Sequence, residues 1–218
     1  MDMEQPHDLV QKDSAETFKW WKYYNERLGC QPDWVKLDRY VQELYRWSKV
    51  FNLVSHKDRN AFFTGHISAS LAILPLILSV RHKRIIDFGS GSGLPGIPLA
   101  VCLPFTDVYL VESRRKKSSF LRQVKRSLCL DNVTIVDKRL EAVASDIPKV
   151  DIIVSRAIDI FSLNCKIYQK ILTQSGIILR YTGPKQDIRR YFSLFFRISF
   201  SGTHNVITIE GLSPNMTP

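Results

Sequence analysis

The stretch Asp87-Phe88-Gly89-Ser90-Gly91-Ser92-Gly93-Leu94-Pro95-Gly96-Ile97-Pro98 constrains the fold more than any other part of the chain. An apolar run, Arg84–Phe88, leads into it, and a helical run, Ile97–Val101, leads out. Strand, glycine turn and helix start, in that order, build a ligand site at the edge of a sheet. Glycine tolerates positive φ and places no Cβ between ligand and backbone. The helix start turns free N–H groups toward a carboxylate or phosphate.

Beyond Arg81, short β-rich runs alternate with helical ones. Strand candidates are Arg84–Phe88, Val108–Val111, Val133–Val136, Asp151–Val154, Gly176–Tyr181 and His204–Ile209, with a helical stretch from Ser118 to Leu128. The alternation predicts an α/β domain with a mostly parallel sheet covered by helices. Right-handed crossovers then bring the strand C-terminal ends to one edge, where ligands bind. No convincing helix separates the last two candidates, so an antiparallel C-terminal strand is expected. Upstream, Leu37, Val41, Leu44, Tyr45 and Ser48 recur at helical steps, and a second helical stretch, Ala61–Val80, is expected to break at Pro75. Residues 1–80 are read as a helical extension packed on a core of residues 81–218. Within the extension, Trp20, Trp21, Tyr23 and Tyr24 suit a docking face or contact with a base.

Gly91-x-Gly93-x-x-Gly96 fits a dinucleotide fingerprint, but its flanks point elsewhere. Asp87, two residues before the first glycine, suits a cation and would repel a pyrophosphate. S-adenosylmethionine carries an ammonium group. Glu112, at the end of the next strand, can accept hydrogen bonds from a ribose diol of either cofactor. A nicotinamide enzyme also needs a substrate domain, and the chain after Arg156 is short for one. S-adenosylmethionine is therefore the first reading and a nicotinamide cofactor the second. A third takes Asp87 as a helix cap and Glu112 as a solvated strand end.

The chain carries 31 Lys plus Arg against 21 Asp plus Glu, a formal charge of +10. Such a balance suits a polyanion, nucleic acid before anionic membrane, although it also serves solubility alone. Arg114-Arg115-Lys116-Lys117 continues through Arg122, Lys125 and Arg126. On a helix, Arg115, Arg122 and Arg126 share a face that can track phosphates or simply meet solvent. Cys30, Cys102, Cys129 and Cys165 show no Cys-x-x-Cys spacing, which argues against a zinc ribbon or redox pair, and no metal is expected. The start lacks a signal-peptide pattern, and Ile67–Val80 is too short and interrupted to span a bilayer. A cytoplasmic protein off the membrane is expected.

With these residues in hand, the chain resembles the bacterial RsmG (GidB) family of small-subunit rRNA guanine-N7 methyltransferases over about residues 34–210. The most specific match is Asp87-x-Gly89-x-Gly91-x-Gly93-Leu94-Pro95-Gly96-Ile97-Pro98-Leu99. Also matching are Asn52-Leu53, His66 with Ser70, Glu112-Ser113, Lys117, Phe120-Leu121, Arg139-x-Glu141 and Ser155-Arg156-Ala157. The resemblance implies a Rossmann-like class I methyltransferase fold with N-terminal helices. It implies cofactor-site roles for Gly89, Leu94, Leu140, Glu141 and Arg156, and action on 16S rRNA or the small ribosomal subunit; a monomer is expected. Departures are Ala69 for the usual Asp, Thr182 for Lys and Thr203 for Arg. Two of these remove a positive charge, so slower turnover is expected.

Guanine N7 has a lone pair and no proton, so no catalytic base is expected, and rate must come from alignment and desolvation. His66 and Arg139 are candidate substrate contacts. His66 equally suits a core position, and Arg156 a salt bridge to Asp151 or Asp87.

Overall fold

The computed structural model describes residues 32–51, 53, 66–142, 144, 147–156, 165–182, 195–199 and 206–211. In chain order these form α1 (Trp34–Phe51), α2 (Ser68–Leu71), α3 (Leu74–Ser79), β1 (Arg84–Phe88), α4 (Gly96–Cys102), β2 (Asp107–Val111), α5 (Arg115–Ser127) and β3 (Val133–Val136). A 3-10 turn (Leu140–Ala142), β4 (Val150–Ser155), α6 (Cys165–Ile171), β5 (Leu172–Thr182), β6 (Phe195–Ser199) and β7 (Val206–Gly211) follow.

The strands of these residues make one sheet in the order β3-β2-β1-β4-β5-β7-β6. β1 pairs parallel with β2 and β4, β2 with β3, and β4 with β5. β7 runs antiparallel to both β5 and β6. The chain travels outward from β1 to β3, then returns to the other side of β1 through β4. That reversal opens a crevice at the strand C-terminal ends between β1 and β4, where open α/β sheets take ligands.

Side chains alternate across the sheet and fill two cores. Ile85, Leu110, Ile152 and Val154 face α1, α4 and α5, whereas Ile86, Phe88, Val111 and Ile153 face α6. α1 belongs to the first core: Leu37, Tyr40, Val41 and Leu44 are fully buried at helical spacing. Each large apolar side chain so buried contributes roughly 1.5–3 kcal/mol. The Trp47 ring meets Phe120 of α5 edge-on at 5.7 Å. No break in this core falls at residue 80, for Leu37 and Ile85 share one cluster.

Three local features differ from the sequence reading. α5 starts at Arg115, not Ser118, because its first turn is basic and exposed and carries no apolar signal. Pro75 sits in the first turn of α3, where its missing N–H leaves no bond unmade, so it starts a helix after the 72–73 turn. β6 has no counterpart among the strand candidates. Its Phe-Phe-Arg-Ile-Ser sequence has no clean alternation, and pairing with β7 defines it.

Phe120→Ala should cost about 3–5 kcal/mol, because the ring is fully buried beneath α1. A urea titration should show a lower midpoint, an unchanged m-value and one transition. Two separate transitions would show α1 to be docked independently of the sheet.

Candidate active site

β1 delivers Asp87 and Phe88 to the crevice and the glycine loop turns there. Gly89 and Ser90 donate their N–H groups to the Val111 carbonyl at 2.9 and 3.1 Å, and the Ser90 hydroxyl donates to the Asp87 carbonyl at 2.8 Å. Gly89, Gly91 and Gly93 take φ of 74°, 57° and 93°, in the left-handed region that side chains avoid. Gly93 and Gly96 also lack room. A Cβ on Gly93 would lie 2.7 Å from Ile97, and one on Gly96 would lie 2.6 Å from Asp87 Oδ2 and collide with Leu110. Gly91 differs, since its Cβ would meet atoms no nearer than 3.6 Å, one of them Lys117 Nζ.

Asp87 is fully buried. Its Oδ2 accepts the Gly96 N–H at 2.9 Å, so it does cap α4, but Oδ1 is buried without a partner. Burial pushes its carboxyl up to about 7, against the opposing pull of the Gly96 N–H and Arg156. Glu112 is only 7% exposed, which rules out a solvated strand end. Its Oε2 accepts the Gly91 N–H at 3.0 Å and its Oε1 the Arg114 N–H at 2.8 Å, tying the loop to the start of α5. Tyr40, a residue the sequence reading passed over, donates its hydroxyl to the Ser92 carbonyl at 2.6 Å. Burial pushes that phenol well above its usual range. The available signal was a phenol at the apolar face of α1, three residues after Leu37.

Arg156 follows β4 on the other side of the crevice. Its Nη2 donates to Nδ1 of His66, and its Nη1 is buried with no partner. Burial lowers the guanidinium's proton affinity, while Tyr181, Tyr40 and Asp87 oppose that loss. The salt bridge to Asp151, one alternative for Arg156, does not form. Asp151 lies at the opposite end of β4, where it accepts the N–H groups of Lys83 and Arg84 at 2.8 and 3.0 Å. An ion pair with Asp87 is also absent. His66 therefore serves Arg156 in this structure.

Asp87, Gly89, Gly91, Leu94, Glu112, Arg156 and His66 thus converge on one sheet edge. Arg139, Leu140 and Glu141 follow β3 at the same edge, with Arg139 and Glu141 exposed and outside the buried network. Ala69 is buried in α2. Thr182 ends β5, opposite Val206. Thr203, Trp20, Trp21, Tyr23 and Tyr24 lie outside the described residues. Arg115, Arg122 and Arg126 are all exposed on α5, although Arg122 is paired with Asp137. Lys125 and Arg126 line an open hollow of about 320 Å³ with Arg122, Cys129 and Asp131.

The edge offers a buried acceptor (Asp87 Oδ1), a buried donor (Arg156 Nη1) and a loop with glycine at 89, 91 and 93. A ligand with an ammonium and a carboxylate meets both valences, whereas a pyrophosphate would face Asp87 and Glu112. S-adenosylmethionine therefore fits the residues present.

Residues 33–192 match the family described as rRNA small subunit methyltransferase G, GidB. A ribosomal RNA small subunit methyltransferase G from Methylobacillus flagellatus is 36% identical over 155 residues, covering 70% of this chain and 74% of its own. One from Salmonella agona is 43% identical over 121 residues, 56% of each protein, so that match spans little more than half the relative's length. A methyltransferase from Geobacter sulfurreducens superposes with TM-score 0.58 at 13% identity, over 92% of this chain and 98% of its own. A SAM-dependent O-methyltransferase from Thermotoga maritima gives TM-score 0.51 at 16% identity, over 69% and 67%. These superpositions show the fold to be the Rossmann-like class I methyltransferase fold.

Gly91→Ala should cost about 1 kcal/mol, for backbone conformation alone, and Gly96→Ala distinctly more, because its Cβ displaces Asp87 and Leu110. Thermal unfolding of the two variants gives the comparison, and equal losses would contradict the packing described. A second expectation concerns Asp87. Its folded-state carboxyl titrates near 7, above the ordinary 3.8, so the ligand-free protein loses stability as pH rises from about 4 to 7. Asp87→Asn removes that loss. Its advantage in unfolding free energy over wild type, read from urea titrations at each pH, should grow across this range to at most about 4 kcal/mol. A pH-independent difference would mean that Asp87 ionises without cost.

Proposed function

The chain belongs to the GidB family of rRNA small subunit methyltransferases, and we propose that it transfers the methyl group of S-adenosylmethionine to N7 of a guanine in 16S rRNA. The observation that carries the cofactor reading is the pair of unpartnered buried atoms, Asp87 Oδ1 and Arg156 Nη1, beside the glycine-rich loop. In this reading Asp87 Oδ1 accepts from the ammonium and Arg156 serves the carboxylate. Gly89, Gly91 and Leu94 form the floor, and Leu140 and Glu141 border the site beyond β3. Glu112 already holds two N–H groups, but each carboxylate oxygen keeps a second lone pair for a ribose hydroxyl.

When bound, S-adenosylmethionine supplies an electrophilic methyl group on a sulfonium. The chain's task is then to align the guanine, exclude water and tolerate the cationic product. N7 needs no deprotonation, and the residues at the edge are consistent with that. His66 is engaged with Arg156, and Asp87 and Glu112 with backbone N–H groups. The N7 target follows the family resemblance.

α5 provides the RNA reading. Its buried face holds Ser118, Phe120, Leu121 and Val124 against the sheet, which leaves the basic face outward. From Arg115 to Arg126 that face runs ~16 Å away from the cofactor edge. Arg122 is partly neutralised by Asp137, so Arg115, Lys125 and Arg126 carry the track.

Incubation with small ribosomal subunits, or with their stripped RNA, should place the label on guanine N7. The rate at saturating cofactor should be flat above pH 7, since the nucleophile carries no proton. Methyl on an exocyclic amine, a base carbon or a ribose would sink the N7 assignment. Tight cofactor binding with no transfer to any RNA would favour an RNA-binding module instead. RNA affinity should fall steeply with salt. An Arg115→Glu, Arg126→Glu double variant should flatten the log–log salt slope by about two, one unit for each lost contact. Cofactor affinity should hold in that variant, and equal loss of both ligands would refute the track.

A further inference from the structure

We propose that His66 is a positioning residue whose neutral imidazole holds the Arg156 guanidinium at the cofactor edge of β4. The inference rests on the S-adenosylmethionine reading above and assigns His66 a role in it other than substrate contact. A guanidinium has donors and no acceptor. In the contact between Arg156 Nη2 and His66 Nδ1, the imidazole must therefore accept through Nδ1 and carry its proton on Nε2. A doubly protonated ring has no acceptor to offer and sets a second cation against the first. Among the described residues Arg156 forms no ion pair, so this neutral acceptor replaces the carboxylate that a buried guanidinium usually takes.

The surroundings hold the pair in place. Ser70 Oγ donates to the His66 carbonyl at 2.7 Å, and the Tyr181 hydroxyl donates to the Ser70 carbonyl at 2.9 Å, which ties α2 and its lead-in to β5. The charged and titratable groups that face Arg156 are Asp87 from β1, Tyr40 from α1 and Tyr181 from β5. Glu112 acts on Asp87 from β2. Tyr40 and Tyr181 spend their protons on backbone carbonyls, and Asp87 Oδ2 is held by Gly96. Arg156 in turn helps keep Asp87 ionised. Loss of the imidazole acceptor thus leaves Nη2 unpaired and the guanidinium unheld, which displaces the donor Nη1 and weakens the support of the acceptor Oδ1, and these two are the atoms assigned to the cofactor.

Histidine titrates between about pH 5 and 8. Acidification should therefore weaken cofactor binding, by up to roughly tenfold per pH unit once the ring is charged, as for any single linked proton. Asp87 protonation acts in the same direction, so the variant must separate the two. His66→Asn places Oδ1 near the site of Nδ1, accepts at every pH and does not titrate. Calorimetry with S-adenosylmethionine from pH 5.5 to 8.5 should show an acidic loss of affinity in wild type. The loss should be smaller in His66→Asn, where only the Asp87 contribution remains. His66→Ala should bind weakly throughout, with thermal unfolding reporting whether it is folded. An acidic limb of equal size in wild type and His66→Asn assigns it to Asp87 and overturns the proposal. Nitrogen-15 NMR of the ligand-free protein provides an arm that needs no cofactor: an Nε2–H tautomer at His66 supports the bond, and an Nδ1–H tautomer overturns it. Wild type that fails to bind S-adenosylmethionine at any pH defeats the cofactor reading, and the tautomer still decides the bond.

Discussion

The rest of the site depends on one buried carboxylate. Asp87 enters the middle of the sheet on β1, between β2 and β4, with no access to solvent. Burial of an ionised carboxylate is costly unless hydrogen bonds compensate it. One oxygen is compensated by the Gly96 N–H, which brings the start of α4 against β1 so closely that no side chain fits at residue 96. The other oxygen is left with no protein partner. The fold therefore tolerates a destabilising valence at the place proposed for the cofactor's ammonium group. Buried groups with perturbed titration gather at functional sites for this reason.

That cost is borne by two cores on either side of β1. Ile85 anchors one and Ile86 and Phe88 the other, so the strand's position is set by packing on both faces. The loop above it is then held from three directions. Tyr40 reaches it from α1, Glu112 from the end of β2, and the Val111 carbonyl receives Gly89 and Ser90. Such a loop presents a preorganised surface, and little ordering remains to oppose ligand binding.

α5 joins the two halves of the proposed function. It begins where Glu112 holds the Arg114 N–H, and its inner face packs Phe120 and Leu121 into the same core as the loop. Its outer face is basic and runs away from the crevice. One helix thus ties the cofactor edge to a surface suited to a polyanion. The Arg122–Asp137 pair reduces the charge available midway along it.

What the sequence determined by itself was local. Hydrophobic period and turn chemistry marked β1 to β5, the helical character of α1 and α5, and the glycine loop, because strand alternation and positive-φ glycines leave their trace in neighbouring residues. Asp87 and Glu112 were legible as candidate site residues for the same reason, since each stands at the end of a readable strand. The tertiary structure decided the pairings across long separations: Tyr40 with Ser92, Glu112 with Gly91, and Arg156 with His66. Those separations are 52, 21 and 90 residues, and no local pattern encodes a contact made only once helices and strands pack. Asp151 shows the same limit from the other side. It stands five residues from Arg156 in sequence, yet an extended strand holds the two some 16 Å apart, so proximity along the chain became distance in the fold.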